Sequence, residues 1–213
     1  MNTDDLIAVL STKATPVQPN AAARRYSVAA GWSFLGATVL MASLFGVRSD
    51  LVDAAMLPMF WTKIVFVASL AAAGLVAAMR VSLPGVPLGW AAHALIAPVV
   101  AIGVLAAIQL VNSDHALRSE LFFGTTWRSC PFQIAFLSMP MFIAVLWAMK
   151  GLAPTRLRLA GAAMGFAAGA MGALVYSLHC PELAAPFLGF WYSLGMLIPT
   201  AIGMALGSRL LRW

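Results

Sequence analysis

The sequence predicts an all-α membrane protein: a six-transmembrane-helix bundle with both termini cytoplasmic. Three observations predict it. Hydrophobic residues fill 62% of the 213 positions and charged residues only 9%, against about 25% charged in a soluble domain. The apolar residues gather in six stretches, each near the ~20 residues that a helix needs to cross a bilayer. The basic residues fall in alternate connections. Together these exclude a disordered chain, a disulfide-dense secreted scaffold and a soluble two-domain enzyme.

Spans are expected at about 26–46, 60–79, 89–111, 131–149, 157–178 and 187–206. Helices are the natural form, because lipid offers no partner to a free backbone N–H or C=O. Barrel strands would alternate polar and apolar residues, and nothing here alternates. The first span is not a removable signal peptide. It begins far into the chain, and Asp4 and Asp5 stand where such peptides carry basic residues. The chain therefore divides into a tail, 1–25, and a transmembrane domain, 26–213.

Orientation follows from Lys and Arg. Lys13, Arg24, Arg25, Arg80, Lys150, Arg156, Arg158, Arg209 and Arg212 fall on one side, and only Arg48, Arg118 and Arg128 on the other. Positive charge stays inside, which puts the tail and the C-terminus in the cytoplasm of a bacterial cell and the bundle in its inner membrane. The net charge of +6 is mostly this bias and does not indicate contact with nucleic acid.

The spans lack the deep ionisable groups of ion-coupled transporters. Lys63 lies near the outer end of the second span and is expected to snorkel to the interface. His93 reads as an interfacial side chain. Gly161, Gly165 and Gly169, and then Gly195, Pro199, Gly203 and Gly207, recur every four residues. Such stripes let helix backbones approach closely. Packing within one bundle is the first reading and a homodimer the second.

Only two cysteines exist. Cys130 opens the fourth span and Cys180 closes the fifth, so both are expected on the outer face. Each precedes a proline that marks a helix end, where water should reach the thiol. Arg128 and the helix dipole favour a thiolate at Cys130. His179 adjoins Cys180 as a base or soft-metal ligand. The outer compartment is oxidising. The pair could form a disulfide, or with His179, and His115 or Glu182 as further donors, hold a soft metal. Cysteine is often plain buried filler, but the shared face and polar neighbours favour a paired redox or metal role. No CxxC or zinc-finger pattern is present, and no bound cofactor is expected.

The tail carries a second candidate site. Residues 3–12 read as a short helix, with Thr3 as its cap and Asp4 and Asp5 suiting its positive first turn. Leu6, Ile7, Val9 and Leu10 share one arc. Pro16 and Pro19 end any helix, and Arg24 and Arg25 anchor the chain at the interface. Burying four apolar side chains yields roughly 6–12 kcal/mol, comparable to the roughly 9–18 kcal/mol needed to order nine residues. Such a tail grips a partner releasably, with help from Asp4, Asp5 or the basic loop 150–158.

These features together resemble the six-span NrsF-type anti-sigma factors, negative regulators of extracytoplasmic-function sigma factors of the sigma-F type. The resemblance covers essentially the whole chain. It rests on Thr3-Asp4-Asp5-Leu6-Ile7, Trp127-Arg128-x-Cys130, Leu178-His179-Cys180-Pro181-Glu182, Phe190-Trp191-Tyr192-x-x-Gly195-Met196 and Arg209-Leu210-Leu211-Arg212-Trp213. It implies that the tail sequesters a sigma factor at the membrane, and that modification of Cys130 and Cys180 by oxidants or heavy metals releases it. Joining the two sulfurs would move the 131–178 hairpin about its loop at 150–158 and weaken the tail's grip. Two rivals remain. A membrane thiol-disulfide oxidoreductase usually needs two thiol pairs, and a soft-metal transporter needs a donor path across the bilayer. Neither feature is present.

Overall fold

The apolar runs form helices wherever the sequence lets them continue, and proline, glycine and polar clusters end them. The structure is a computed structural model that describes residues 3–13 and 20–212. The helices are α1 (Thr3–Lys13), α2 (Ala21–Leu44), α3 (Leu51–Ala55), α4 (Pro58–Ser82), α5 (Trp90–Asn112), α6 (His115–Phe123), α7 (Cys130–Leu137), α8 (Met139–Lys150), α9 (Leu157–Tyr176) and α10 (Ala185–Leu210). No strand occurs among the described residues. Pro16 and Pro19 of the tail lie outside them.

Helices α2, α4, α5, α9 and α10 are each long and apolar enough to cross a membrane. Helices α7 and α8 make a sixth span if read as one, bent by 41°. The bend follows from Pro140, which lacks an N–H and whose ring crowds the carbonyl four residues back. Large apolar side chains on these helices face outward, Trp32, Val39, Val65, Phe132 and Ile143 among them. A soluble monomer rarely exposes so much contiguous apolar surface. The expected boundaries shift by a few residues. The first span starts at Ala21, so Arg24 and Arg25 ride in its opening turns rather than ahead of it. Helices α3 and α6, in the connections, are additions.

The centre of the bundle is α9, packed mainly on α10 and α4. Its glycines explain why. A Cβ on Gly161 would strike the Gly203 carbonyl, one on Gly165 the Pro199 carbonyl, and one on Gly207 the Leu157 carbonyl. Gly169 lies against the Met196 backbone and Gly172 against the Ile134 carbonyl, both at 2.9 Å from an added Cβ. The stripes are therefore consumed inside one chain. The homodimer expected on them as the second reading has no free stripe to use.

Two cores result. One gathers Tyr26, Val81, Met149, Ala160 and Leu211, at the end where α2 begins and α10 stops. There the Tyr26 hydroxyl meets the Ser82 hydroxyl at 2.7 Å, and Arg25 stacks its guanidinium on Trp147 at 4.8 Å and donates to the Trp147 carbonyl at 3.3 Å. The other, at the opposite end, contains both cysteines with Ile134, Tyr176, Phe187 and Tyr192. Helix α5 lies at the edge of the bundle, burying only Ala91 and Ile102 and adding Ile102 to the second core.

Candidate functional site

Both cysteines are placed by proline-bounded helix ends. Pro131 sits in the first turn of α7, where its missing N–H had no helical partner, and the Cys130 N–H donates to the Thr126 carbonyl at 2.9 Å. Helix α9 stops at Tyr176, whose carbonyl takes the N–H of His179 at 2.9 Å and of Cys180 at 3.0 Å. Pro181 then prevents continuation. Both thiols are free and both lie at the same end of the bundle.

Neither thiol meets water. Both cysteines are 0% exposed, which corrects the expectation of accessible helix ends. The reason lies in what folds over them. The Tyr176 hydroxyl stands beside both sulfurs and donates to Gln133 Oε1 at 2.8 Å. The Thr126 hydroxyl lies 3.9 Å from the Cys180 sulfur. The Tyr192 hydroxyl is also beside Cys180, and it is buried with no hydrogen-bond partner. Tyr192 is aimed there by a π-helical turn over Leu188–Tyr192, the kind of one-residue widening that recurs at functional sites.

A polar cover closes this chamber. Lys63 does not snorkel; it is 0% exposed. Its Nζ donates to the Cys180 carbonyl at 2.7 Å and to the Glu182 carbonyl at 3.1 Å, and it sits 5.9 Å from the Tyr192 ring. Arg48 adds a donor to the Cys180 carbonyl at 3.4 Å, and its backbone N–H reaches the Leu178 carbonyl at 3.3 Å. Asp50 holds Arg48 through two bonds of 2.6 and 2.7 Å. That pairing keeps the Asp50 carboxyl below the usual carboxylate range and pushes the Arg48 guanidinium up. The Glu182 carboxylate accepts from the backbone and hydroxyl of Thr125 at 2.7 and 2.8 Å.

His179 departs from the set expected in the sequence. Its Nδ1 lies 2.9 Å from the Gly46 carbonyl, and its ring packs on Phe45 and Tyr176. Arg128 stacks on Trp127, and His115 pairs with Arg118 at 3.3 Å. Among the described residues no three His, Cys, Asp or Glu side chains gather as a metal-ligand set. The soft-metal group of Cys130, Cys180 and His179 is therefore not assembled in this conformation. What the structure brings together is two buried free thiols in one core cluster with Tyr176.

Lys63, Tyr176, Tyr192, Arg48 and Gln133 were not singled out as site residues from sequence. Lys63 had a readable signal: it falls in step with Phe60, Val67 and Leu70 on the buried face of α4, where a snorkelling lysine would not.

The tail site is helical, as expected. Leu6, Ile7 and Val9 of α1 are exposed, at 42%, 59% and 49%, with Asp4 and Asp5 in the first turn. The Leu10 side chain lies outside the described residues. Arg24 is exposed and Arg25 is the residue that locks onto α8.

Comparison with known proteins gives the family. The model described as "Negative regulator of sigma F" matches residues 10–213. The chain is 54% identical over its full length, and the full length of the relative, to the "Probable anti-sigma-F factor NrsF" of Azospira oryzae. It is 41% identical, again over all of both chains, to the "Anti-sigma-F factor NrsF" of Caulobacter vibrioides. No solved structure matches. These relatives are named as regulators rather than enzymes, and the chain belongs to the NrsF family, the negative regulators of sigma F.

Proposed function

We propose that this protein is an inner-membrane anti-sigma factor. It holds an extracytoplasmic-function sigma factor in the cytoplasm through its N-terminal segment, and releases it when the periplasm-facing pair Cys130 and Cys180 is oxidised or bridged by a soft metal. The family and its two named relatives support the sigma partner. The exposed apolar face of α1 and its two aspartates support the tail as the grip. The nine-to-three division of basic residues supports the orientation. One observation carries the sensing half: two cysteines 50 positions apart in the sequence lie buried in one core cluster with Tyr176.

In this scheme the resting thiols are reduced and shielded. Local opening of the cover admits an electrophilic oxidant. Each thiol gives up one proton and one electron, the S–S bond forms, and the oxidant takes up the electron pair. The bond then holds α7 and α9 in one arrangement. The movement this scheme calls on is a small shear of α9 against its packed neighbour α10. At the far end the movement meets the Arg25–Trp147 contact, which joins α8 to the first turns of α2 and so to the tail. A stimulus shifts such an equilibrium only by its differential stabilisation of the two states, and a covalent bond supplies that difference.

Co-purification tests the reading. Full-length protein should retain its sigma factor, a chain lacking residues 1–25 should not, and oxidant should release the factor from the full-length chain alone. A tail-less chain that still retains the factor would refute the tail as the grip.

A further inference from the structure

We infer that Lys63 is a positioning residue for the cysteine pair: its ammonium fixes the backbone that carries Cys180, and so sets how readily the two sulfurs join. The inference rests on the redox reading above and names the group that tunes it.

The geometry is specific. Lys63 is fully buried, and among the described residues no carboxylate stands within ion-pair distance of it. Its hydrogen-bond partners are two carbonyls, those of Cys180 and Glu182. A buried ammonium without a counter-ion is costly, and a methionine or leucine would fill the same volume with no such penalty. The ammonium does something neither could. The turn Cys180-Pro181-Glu182 lies between α9 and α10, outside both helices, and the position four residues after Glu182 is Pro186, which has no N–H, so these carbonyls take no helical partner. One ammonium spans both and ties the turn to α4. The Cys180 sulfur hangs from the backbone so held, within reach of Thr126 and Tyr176. Arg48 reaches the same Cys180 carbonyl at the longer distance of 3.4 Å, a supporting contact rather than a substitute.

Closing the disulfide depends on the effective concentration of one sulfur at the other. A turn that is tied down presents Cys180 to Cys130 in a narrow range of positions, and a freed turn spreads it over many. Lys63 should therefore favour the bridged form without touching either sulfur.

The test uses purified full-length protein equilibrated with reduced and oxidised glutathione. Two protein thiols and one oxidised glutathione give the protein disulfide and two reduced glutathiones. Lys63→Met should move the equilibrium toward the dithiol by about tenfold, close to 30 mV for this two-electron couple. Lys63→Arg, which keeps two donors, should restore the parent value. An unchanged equilibrium in Lys63→Met, or a folded Lys63→Arg as impaired as Lys63→Met, overturns the inference. Lys63→Gln, with one donor retained, replaces the methionine variant if that chain does not fold, and should fall between parent and null.

If the parent forms no internal disulfide at all, the redox reading fails by itself. The positioning role is then read separately, from maleimide labelling of Cys180 in a Cys130→Ser background. Lys63→Met should label on the order of tenfold faster because the freed turn opens locally more often. Equal rates overturn it.

Discussion

The Glu182 carboxylate accepts the Thr125 backbone N–H at 2.7 Å and the Thr125 hydroxyl at 2.8 Å, so the turn after α9 is tied to the turn before α7. The Thr126 N–H shares the same oxygen at 3.3 Å. These bonds close one side of the cover over Cys180. A hydrogen bond to a charged group contributes about 1.5–3 kcal/mol, and a local opening cost lowered by about 1.4 kcal/mol makes opening tenfold more frequent. Glu182→Ala should therefore speed maleimide labelling of Cys180 roughly tenfold, while Glu182→Gln, which keeps an acceptor oxygen, should give a smaller rise. Identical labelling of the alanine variant and parent would mean that the cover is held elsewhere.

Gly165 has no room for a side chain, because a Cβ there meets the Pro199 carbonyl and, at 2.8 Å, the Thr200 Cα. Both obstacles are backbone and cannot rotate away. Gly165→Ala should separate α9 from α10 and destabilise the bundle by about 1–3 kcal/mol, the usual range for overpacking. Gly36 of α2 provides the control, since nothing lies within 4 Å of its added Cβ. Gly36→Ala should leave stability equal or slightly raised, through better helix propensity. Thermal unfolding followed by circular dichroism compares the two, and equal midpoints would contradict the close α9–α10 crossing.

Arg48 and Asp50 give the cover a pH dependence. Asp50 is held below the usual carboxylate range by hydrogen bonds from Arg48. A carboxyl depressed in the fold contributes fully above its ordinary value and loses that contribution as pH falls through the lower folded value. Asp50→Asn should thus be less stable than the parent at neutral pH, by a small margin because Asp50 is exposed. The gap should close in strong acid. A gap of constant size at every pH would show that the charge of Asp50 is not what holds Arg48.

Much of this arrangement is legible in the sequence, and the parts that are not share a cause. The long helices follow from apolar run length, whereas the fourth run, expected to continue unbroken over 131–149, bends near Pro140. The glycine spacing of α9 and α10 foretold a close helix crossing, although not whether the partner would be the same chain. The meeting of Cys130 and Cys180 at one end follows from two helices and one tight turn. What escapes is set by contacts between distant elements. The burial of both thiols comes from a core cluster drawn from several helices, Ile134, Tyr176, Phe187 and Tyr192 among its members, with Thr126 reaching the Cys180 sulfur from another connection. The aim of Tyr192 depends on a one-residue widening of α10 that no local pattern announces. Lys63 departs from its expected snorkelling, the usual behaviour of a lysine near a span end, because its partners are more than a hundred residues away, at Cys180 and Glu182.

Replacing the cysteines separates sensing from binding. Cys130 and Cys180 lie in the core at one end, and Leu6, Ile7 and Val9 are exposed on α1. Cys130→Ser and Cys180→Ser should each leave sigma retention intact and abolish release by oxidant. Serine is close in size to cysteine, and its hydroxyl finds ready partners: Tyr176 at both positions, and Thr126 beside Cys180. The cost of a buried unsatisfied hydroxyl, about 1–3 kcal/mol, should therefore be largely avoided. Both variants should fold and co-purify with the factor. The measurement is reporter transcription with and without oxidant, alongside the amount of factor retained on the membrane. A double variant that still releases its factor on oxidation would place the sensor outside this chamber, whereas loss of retention in untreated cells would mean that the sulfurs hold the bundle in its binding state.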